Sequence, residues 1–143
     1  MLDPEAARVA TLSDAQFVVG PTLNPETARL GNRYLVPYIP GASTLKKVIE
    51  GMECGADIVK AFPAETLGPA LVKAVRGPLP KVSLMPTRGV SLENVGEWIQ
   101  AGCVAVGVGG GLTAGAKTGD VESIIEMSRQ FIARIRRVRD SSG

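Results

Sequence analysis

Short apolar segments alternate with amphipathic segments along the whole of this 143-residue chain. Each pair of segments occupies about twenty residues, the length of one strand–helix unit. Strict alternation predicts an α/β fold in which a parallel sheet is joined by right-handed helical crossovers. We expect one domain over residues 1–143, with about five parallel strands, near residues 16–21, 36–41, 57–62, 81–86 and 104–108, and six helices that begin near residues 4, 25, 44, 68, 92 and 121.

The first two helices begin with nearly the same local sequence. Asp3-Pro4-Glu5 and Asn24-Pro25-Glu26 each provide a capping side chain, a proline for the first helical position and a carboxylate in the first turn. This similarity indicates an internal repeat of one βα unit. Ser43 and Ser91 are the predicted caps of the third and fifth helices.

The composition narrows the classes of function. The hydrophobic fraction of 45% is typical of a globular domain, and the net charge of +2 does not suggest a nucleic-acid partner. No apolar run reaches the ~18 residues of a membrane span, and no signal peptide is evident at the N-terminus. The absence of histidine excludes Ser-His-Asp and Cys-His catalysis and histidine metal sites within this chain. Cys54 and Cys103 are far apart in sequence, which favours reduced thiols and a cytoplasmic location.

The segment around Lys60 is the candidate reactive centre. Ile58, Val59, Ala61 and Phe62 form an apolar run that is typical of a parallel strand covered on both faces. Alternation along a strand places Lys60 on the same face as Ile58 and Phe62. Burial would lower the pKa of its amine, and a neutral amine can attack a carbonyl to form a Schiff base. The alternative is a structural lysine that reaches solvent from a strand end.

Two architectures fit the alternation, an open doubly wound sheet and a (β/α)₈ barrel. Both place ligands at the carboxyl ends of their strands. The unusual residues of this chain gather at those ends, and the glycine loops after the last two strands favour the barrel because its phosphate site lies there. These residues are Pro21, Gly41, Lys60, Glu65, 87–89 and 109–111.

At these segments the chain resembles the 2-keto-3-deoxy-6-phosphogluconate (KDPG) / 4-hydroxy-2-oxoglutarate (KHG) aldolases, class I enzymes on a (β/α)₈ barrel. The resemblance rests on five short motifs in order, residues 20–25 (GPTLNP), 38–44 (YIPGAST), 59–65 (VKAFPAE), 85–90 (MPTRGV) and 106–109 (VGVG). It implies an incomplete TIM barrel in which the strands present correspond to the family's fourth to eighth.

The resemblance also implies roles for individual residues. Lys60 matches the Schiff-base lysine that captures pyruvate, and Phe62 matches an apolar wall of its pocket. Pro21 and Thr87 match positions that contact the substrate. The matches to backbone donors for the distal phosphate of the substrate are Gly89, Gly109 and Gly110. Successive glycine amides form an anion-binding nest, to which a following helix N-terminus would add.

The implied reaction is aldol cleavage without a metal or organic cofactor. Its substrates are 2-oxo acids, and its products are pyruvate with glyceraldehyde 3-phosphate or with glyoxylate. The family is typically trimeric, so a homo-oligomer is expected.

The chain departs from the family in three respects. A barrel of this type needs at least ~200 residues, and the strands that carry the family's glutamate acid/base and a basic substrate-binding residue have no match here. Glu65 is the nearest candidate for that acid/base role, with a helix cap as its alternative. Arg88 replaces a glycine and would either clamp phosphate or distort the loop, and Gly110 replaces a serine.

Two other functions remain beside the aldolase. One is a catalytically impaired barrel remnant that binds an oxoacid or phosphate, or acts only within an oligomer. The other, an open-sheet nucleotide binder, is disfavoured because no Gly-x-Gly-x-x-Gly motif follows the first strand. Exposed strand edges would make an incomplete barrel prone to association.

Overall fold

Six α-helices and five short strands occur along residues 1–141, the part of the chain that the computed structural model describes. The helices are α1 (Pro4–Leu12), α2 (Pro25–Tyr34), α3 (Leu45–Glu53), α4 (Ala64–Arg76), α5 (Val95–Gln100) and α6 (Val121–Asp140). The strands are β1 (Val18–Val19), β2 (Tyr38–Ile39), β3 (Gly41–Ala42), β4 (Val59–Ala61) and β5 (Leu84–Pro86), and a 3-10 helix covers Ala114–Lys117.

All the strand pairs are parallel and follow chain order. β1 pairs with β2, and β4 pairs with β3 on one side and β5 on the other. In a doubly wound sheet the strand order reverses at a switch point. Here each strand lies beside its neighbours in sequence, which is the arrangement along the wall of a barrel. The strands of residues 1–141 form an open arc and not a closed barrel. This agrees with the expected incomplete barrel.

The predicted second strand is divided into β2 and β3 at Pro40. Ile39 accepts a hydrogen bond from the Gly20 amide (3.0 Å), whereas the Pro40 carbonyl accepts one from the Lys60 amide (2.8 Å). The segment therefore pairs with β1 before Pro40 and with β4 after it. Proline has no amide hydrogen to donate, so the ladder is interrupted at this point.

The predicted fifth strand, residues 104–108, is wrong as a regular strand. A single bridge joins Thr87 and Gly107, and the amides of Val104 and Gly107 donate to carbonyls of β5 at 3.1 and 2.8 Å. The segment lies along β5 without continuous pairing. Glycine weakens an extended segment, and this one has no further strand beside it within residues 1–141.

The predicted caps of α1 and α2 are confirmed. Asp3 accepts a hydrogen bond from the Ala6 amide at 2.7 Å, and Asn24 accepts from the amides of Glu26 and Thr27. A proline follows each cap at the start of the helix. Both starts are local in sequence, which is why the sequence pattern alone identifies them.

Three other helix starts differ from the prediction. Thr44, not Ser43, caps α3 by accepting from the Lys47 amide. α5 begins at Val95 and not after Ser91, because Asn94 accepts from the Ser91 amide and folds residues 91–94 into a turn. α4 begins at Ala64 and is kinked at Gly68 (φ 66°), where the helix had been predicted to begin.

Two apolar clusters lie between the strands and the helices. The larger one joins β4 and β5 to α3, α4 and α5, and its buried members include Val59, Val72, Leu84 and Trp98. Cys103 belongs to it, and burial raises the pKa of its thiol to about 12. The smaller cluster packs α1 and α2 against β1 and β2. Both cysteines are free, as expected.

The two ends of the arc expose apolar side chains. They come from α1 with its flanks and from α6: Leu2, Val9, Leu12, Phe17, Val121, Ile125 and Ile132 are each between 45% and 68% exposed. None of the helices within residues 1–141 is both long and apolar enough to cross a bilayer.

We expect Leu84→Ala to lower the free energy of unfolding by about 2–5 kcal/mol, because this 1%-exposed side chain fills the centre of the larger cluster. Denaturant unfolding measures the change. Val9→Ala, at a side chain that is 67% exposed, is the matched control and should change the stability little. Equal losses in the two variants would contradict the assignment of the core.

Candidate active site

Lys60 lies on the inner face of the arc, in the middle of β4. Its neighbours Val59 and Ala61 are 1% and 2% exposed on the opposite face, against the helices. Ile58, Lys60 and Phe62 are half-buried on the inner face, and the Lys60 Nζ lies 4.2 Å from the centroid of the Phe62 ring. The predicted sharing of faces is confirmed. The expectation that both faces are covered is wrong within residues 1–141, because no layer covers the inner face.

Two effects of opposite sign act on the Lys60 amine. Removal from water lowers its pKa below the ordinary value of 10.5. The face of the Phe62 ring favours the ammonium form, but desolvation determines the direction of the shift. No carboxylate in the described part of the chain forms an ion pair with Lys60. Its neutral, nucleophilic form is therefore more populated than in a fully solvated lysine.

The neighbours of Lys60 across the sheet are a glycine on one side and a methionine on the other. Gly41 is its register partner in β3, and Met85 is its partner in β5. A side chain at Gly41 would meet the carbonyl of Pro21, so the end of β1 lies directly against β3. Pro21 is thus two strand spacings, roughly 10 Å, from the line of β4. Sequence reasoning did not identify Met85 as a neighbour of Lys60, because strand pairing had not been assigned.

Thr87 closes the end of β5 beside β4. Its amide donates to Ala61 at 3.1 Å, and its carbonyl accepts from Ala64 at 3.0 Å. Its hydroxyl is buried without a hydrogen-bond partner. Gly107 lies against this side chain so closely that a β-carbon there would overlap it. A glycine inside a strand-like pattern signals such a close approach, although the sequence analysis did not use this signal.

A pocket of about 270 Å³, which we call the glycine pocket, lies at the same end of the strands. It brings together the two predicted glycine loops, with residues 87–90 on one side and Gly107 and residues 109–111 on the other. The amides of Gly89, Gly109 and Gly110 donate to no protein group within residues 1–141. Unpaired glycine amides around a concavity are suited to an anion. The expected contribution of an α-helix directly after the loop is not made, because the element that comes next after the last glycines is a four-residue 3-10 helix.

Arg88, one of the residues that line this pocket, forms an ion pair with Glu65. The Arg88 Nε lies 2.8 Å from the Glu65 Oε1, with the two side chains 62% and 45% exposed. Gly89 packs on the first turn of α4, where an added β-carbon would lie 2.5 Å from that of Glu65. The structure thus places Glu65 against Arg88, and no contact joins it to Lys60 within residues 1–141.

Arg88 adopts a backbone conformation that suits glycine. Its φ of 72° is in the left-handed region, and Gly89 follows with φ 81°. This conformation costs a non-glycine residue about 1–2 kcal/mol. An exposed ion pair contributes about 0–1 kcal/mol. The loop therefore has, at Arg88, a backbone conformation that glycine adopts without strain.

The larger cavity, of about 430 Å³, is at the opposite end of the strands. It is lined by the ends of α2 and α3 and by the segments that lead into β2 and β4, including Asn32, Cys54 and Asp57. The amino-terminal end of barrel strands is associated with stability and not with catalysis. Within residues 1–141, no group of three or more acidic, cysteine or histidine residues could hold a metal ion.

Comparisons with known proteins agree with this geometry. The sequence profile described as KDPG and KHG aldolase matches residues 1–127. The chain is 29% identical over 137 residues to a 2-dehydro-3-deoxy-6-phosphogalactonate aldolase of Escherichia coli (strain K12), covering 95% of this chain and 66% of that protein. It is 34% identical over 136 residues to a 2-dehydro-3-deoxy-phosphogluconate aldolase of Treponema pallidum, covering 92% and 64% respectively.

A solved structure described as native KDPGal superposes with a TM-score of 0.91 at 28% identity, over 98% of this chain and 68% of that one. The described fold therefore matches part of that solved structure. The chain spans no more than two thirds of the length of the two curated relatives, 66% and 64%. On the profile match and these similarities, the chain belongs to the KDPG and KHG aldolase family.

Proposed function

We propose that this chain carries out class I aldolase chemistry, as a lyase that uses a Schiff base on Lys60. The proposed substrates are 2-keto-3-deoxy-6-phosphogluconate, cleaved to pyruvate and glyceraldehyde 3-phosphate, and 4-hydroxy-2-oxoglutarate, cleaved to pyruvate and glyoxylate. The observation that carries the proposal is a half-buried lysine of lowered pKa, without a carboxylate partner in residues 1–141, at the carboxyl ends of parallel strands. Family membership supports it.

The reaction would begin with attack of the neutral Lys60 amine on the C2 ketone. The resulting carbinolamine takes up a proton on its hydroxyl and loses water to give an iminium ion, which accepts the electron pair released when the C3–C4 bond breaks. The C4 hydroxyl gives up its proton and becomes the aldehyde of the first product, and the other fragment remains on Lys60 as an enamine. Protonation of the enamine and hydrolysis of the resulting imine release pyruvate and restore the amine.

The remaining roles in this proposal follow from position. Phe62 would form an apolar wall beside the carbonyl, since its ring already contacts the Lys60 amine. Thr87 would border the substrate pocket with its backbone at the end of β5, since its hydroxyl is buried against Gly107, and Pro21 would border the site from β1. The free amides of the glycine pocket, from Gly89, Gly109 and Gly110, would hold the distal phosphate.

A specific observation supports a second candidate, an oxoacid-binding remnant without efficient turnover. Glu65, the candidate acid/base, is paired with Arg88, and general acid–base catalysis typically contributes ~10²–10⁴-fold to a rate. Glu65 would have to leave Arg88 to transfer protons at the bound substrate. With Glu65 retained by Arg88, Lys60 would still capture pyruvate while cleavage remained slow.

We expect incubation with pyruvate and borohydride to give a reduced pyruvyl adduct on Lys60, mapped by mass spectrometry. Reduction fixes the imine whether or not turnover follows, so this test addresses the aldolase site itself. Lys60→Gln should abolish the adduct. Lys46→Gln removes a lysine whose side chain is 84% exposed and serves as the matched control, which should keep it.

Absence of an adduct from a folded sample would reject Schiff-base chemistry for this chain. An adduct without cleavage of either keto acid would favour the remnant over the aldolase.

The rate of adduct formation should rise with pH around a pKa below 10.5, because burial lowers the pKa of Lys60 and the neutral amine is the nucleophile. Initial trapping rates at a series of pH values measure it. At pH values between the lowered pKa of the folded chain and 10.5, Lys60 is largely protonated in the unfolded chain and largely neutral in the folded chain. The contribution of Lys60 to the free energy of unfolding therefore rises with pH across this range. A midpoint at the ordinary value would contradict the desolvation of Lys60.

We also propose that the chain acts as a homo-oligomer, a trimer as in its family, in the cytoplasm. The exposed apolar side chains of α1 and α6 support association. Sedimentation equilibrium should give a mass that increases with concentration toward three chains. A monomer across the whole range of concentration would contradict this proposal.

A further inference from the structure

The contribution of Arg88 to the stability of the fold does not explain why an arginine occupies this position. Its backbone has φ 72°, a conformation that glycine adopts without strain. The ion pair with Glu65 is exposed on both sides, and such pairs contribute little. An unfavourable conformation at a pocket points to a role in that pocket.

The glycine pocket has the polar groups of an anion site. Of the residues that line it, Arg88 alone carries a charge, and the others contribute glycine backbone, Thr87 and Val90. The amides of Gly109, Gly110 and Gly111 are free of protein partners within residues 1–141, and a β-carbon on any of these glycines would meet nothing within 4 Å. A phosphate there would meet several N–H donors and one guanidinium, the group best suited to bind it at two points.

The carboxylate of Glu65 is bound to the Arg88 guanidinium. Its carboxylate lies 2.8 Å from Nε, so a ligand anion must compete with it. The distal carboxylate of 4-hydroxy-2-oxoglutarate carries one negative charge, as Glu65 does, and so has no advantage over Glu65. A phosphate monoester carries up to two negative charges at neutral pH and offers three acceptor oxygens, so it competes more strongly.

We propose that Arg88 is a specificity-determining residue, which exchanges Glu65 for the distal phosphate of the substrate and selects phosphorylated 2-keto-3-deoxy acids over the shorter unphosphorylated substrate. This inference rests on the proposed function, because it assigns the glycine pocket to the distal end of the substrate of Lys60. Before the exchange, Glu65 pairs with the Arg88 guanidinium. In the occupied site Arg88 and the glycine amides share the phosphate.

The test is calorimetric titration of the full chain with inorganic phosphate. Arg88→Gly should raise the dissociation constant at least about tenfold, as expected for loss of one charge-assisted contact. Glycine is unstrained at this φ, so the variant should remain folded, which circular dichroism checks. Arg129→Ala, on the exposed surface of α6, removes the same charge away from the pocket and should leave the dissociation constant unchanged.

A double-mutant cycle tests the exchange itself. Glu65→Gln should lower the dissociation constant for phosphate several-fold in the parent and have a much smaller effect in the Arg88→Gly background, because the competition exists only with the arginine present. An equal gain in both backgrounds would mean simple repulsion between Glu65 and phosphate and would overturn the exchange. Failure of the parent to bind phosphate, or equal binding by Arg88→Gly, would overturn the role of Arg88.

Pyruvate trapping on the unaltered chain reports on Lys60 independently of phosphate. Trapping without phosphate binding would reject this inference and leave the proposed function intact. Phosphate binding that depends on Arg88 in a chain that does not trap pyruvate would retain the anion site and reject the aldolase chemistry. With both present, cleavage of the phosphorylated substrate should lose more kcat/KM in Arg88→Gly than cleavage of the unphosphorylated one.

Discussion

The parallel pairing of β4 on both of its edges is the constraint on which the rest of this structure depends. Its edges bond to Pro40 on one side and to Ser83 on the other. Val59 and Ala61 are buried against the helices, and alternation then leaves Lys60 on the inner face. A shift of register by one residue would exchange the two faces, burying the lysine in the apolar cluster and destroying both the core and the candidate site.

The candidate site depends on this pairing because all the strands point the same way. Their carboxyl ends meet at one edge, so loops far apart in the sequence become neighbours. Thr87 bonds to the end of β4, and Gly107 packs on Thr87. The backbone at this edge approaches closely because glycines take the places of larger residues. The same lack of side chains leaves amides exposed to the pocket, and Arg88 provides its charge.

Features that depend on residues close in sequence could be predicted from the sequence. Features that depend on distant contacts differ from the prediction. The caps at Asp3 and Asn24 lie within three residues of the amides they bind, and both were predicted. The start of α5 was not, because Asn94 both accepts from Ser91 and donates to the Gly89 carbonyl. Residues 104–108 have a strand-like composition, but a single bridge between Thr87 and Gly107 takes the place of continuous pairing.

The sequence by itself determined the alternation of strands and helices, the face on which Lys60 lies and the gathering of glycines at the ends of the last strands. These follow from side-chain periodicity and from the conformational preferences of glycine and proline, which act over a few residues. The tertiary structure alone decided that the arc stays open within residues 1–141, that Met85 lies beside Lys60 and that Glu65 pairs with Arg88. Those outcomes depend on which strands become neighbours and on the left-handed backbone at Arg88, and no local pattern encodes either.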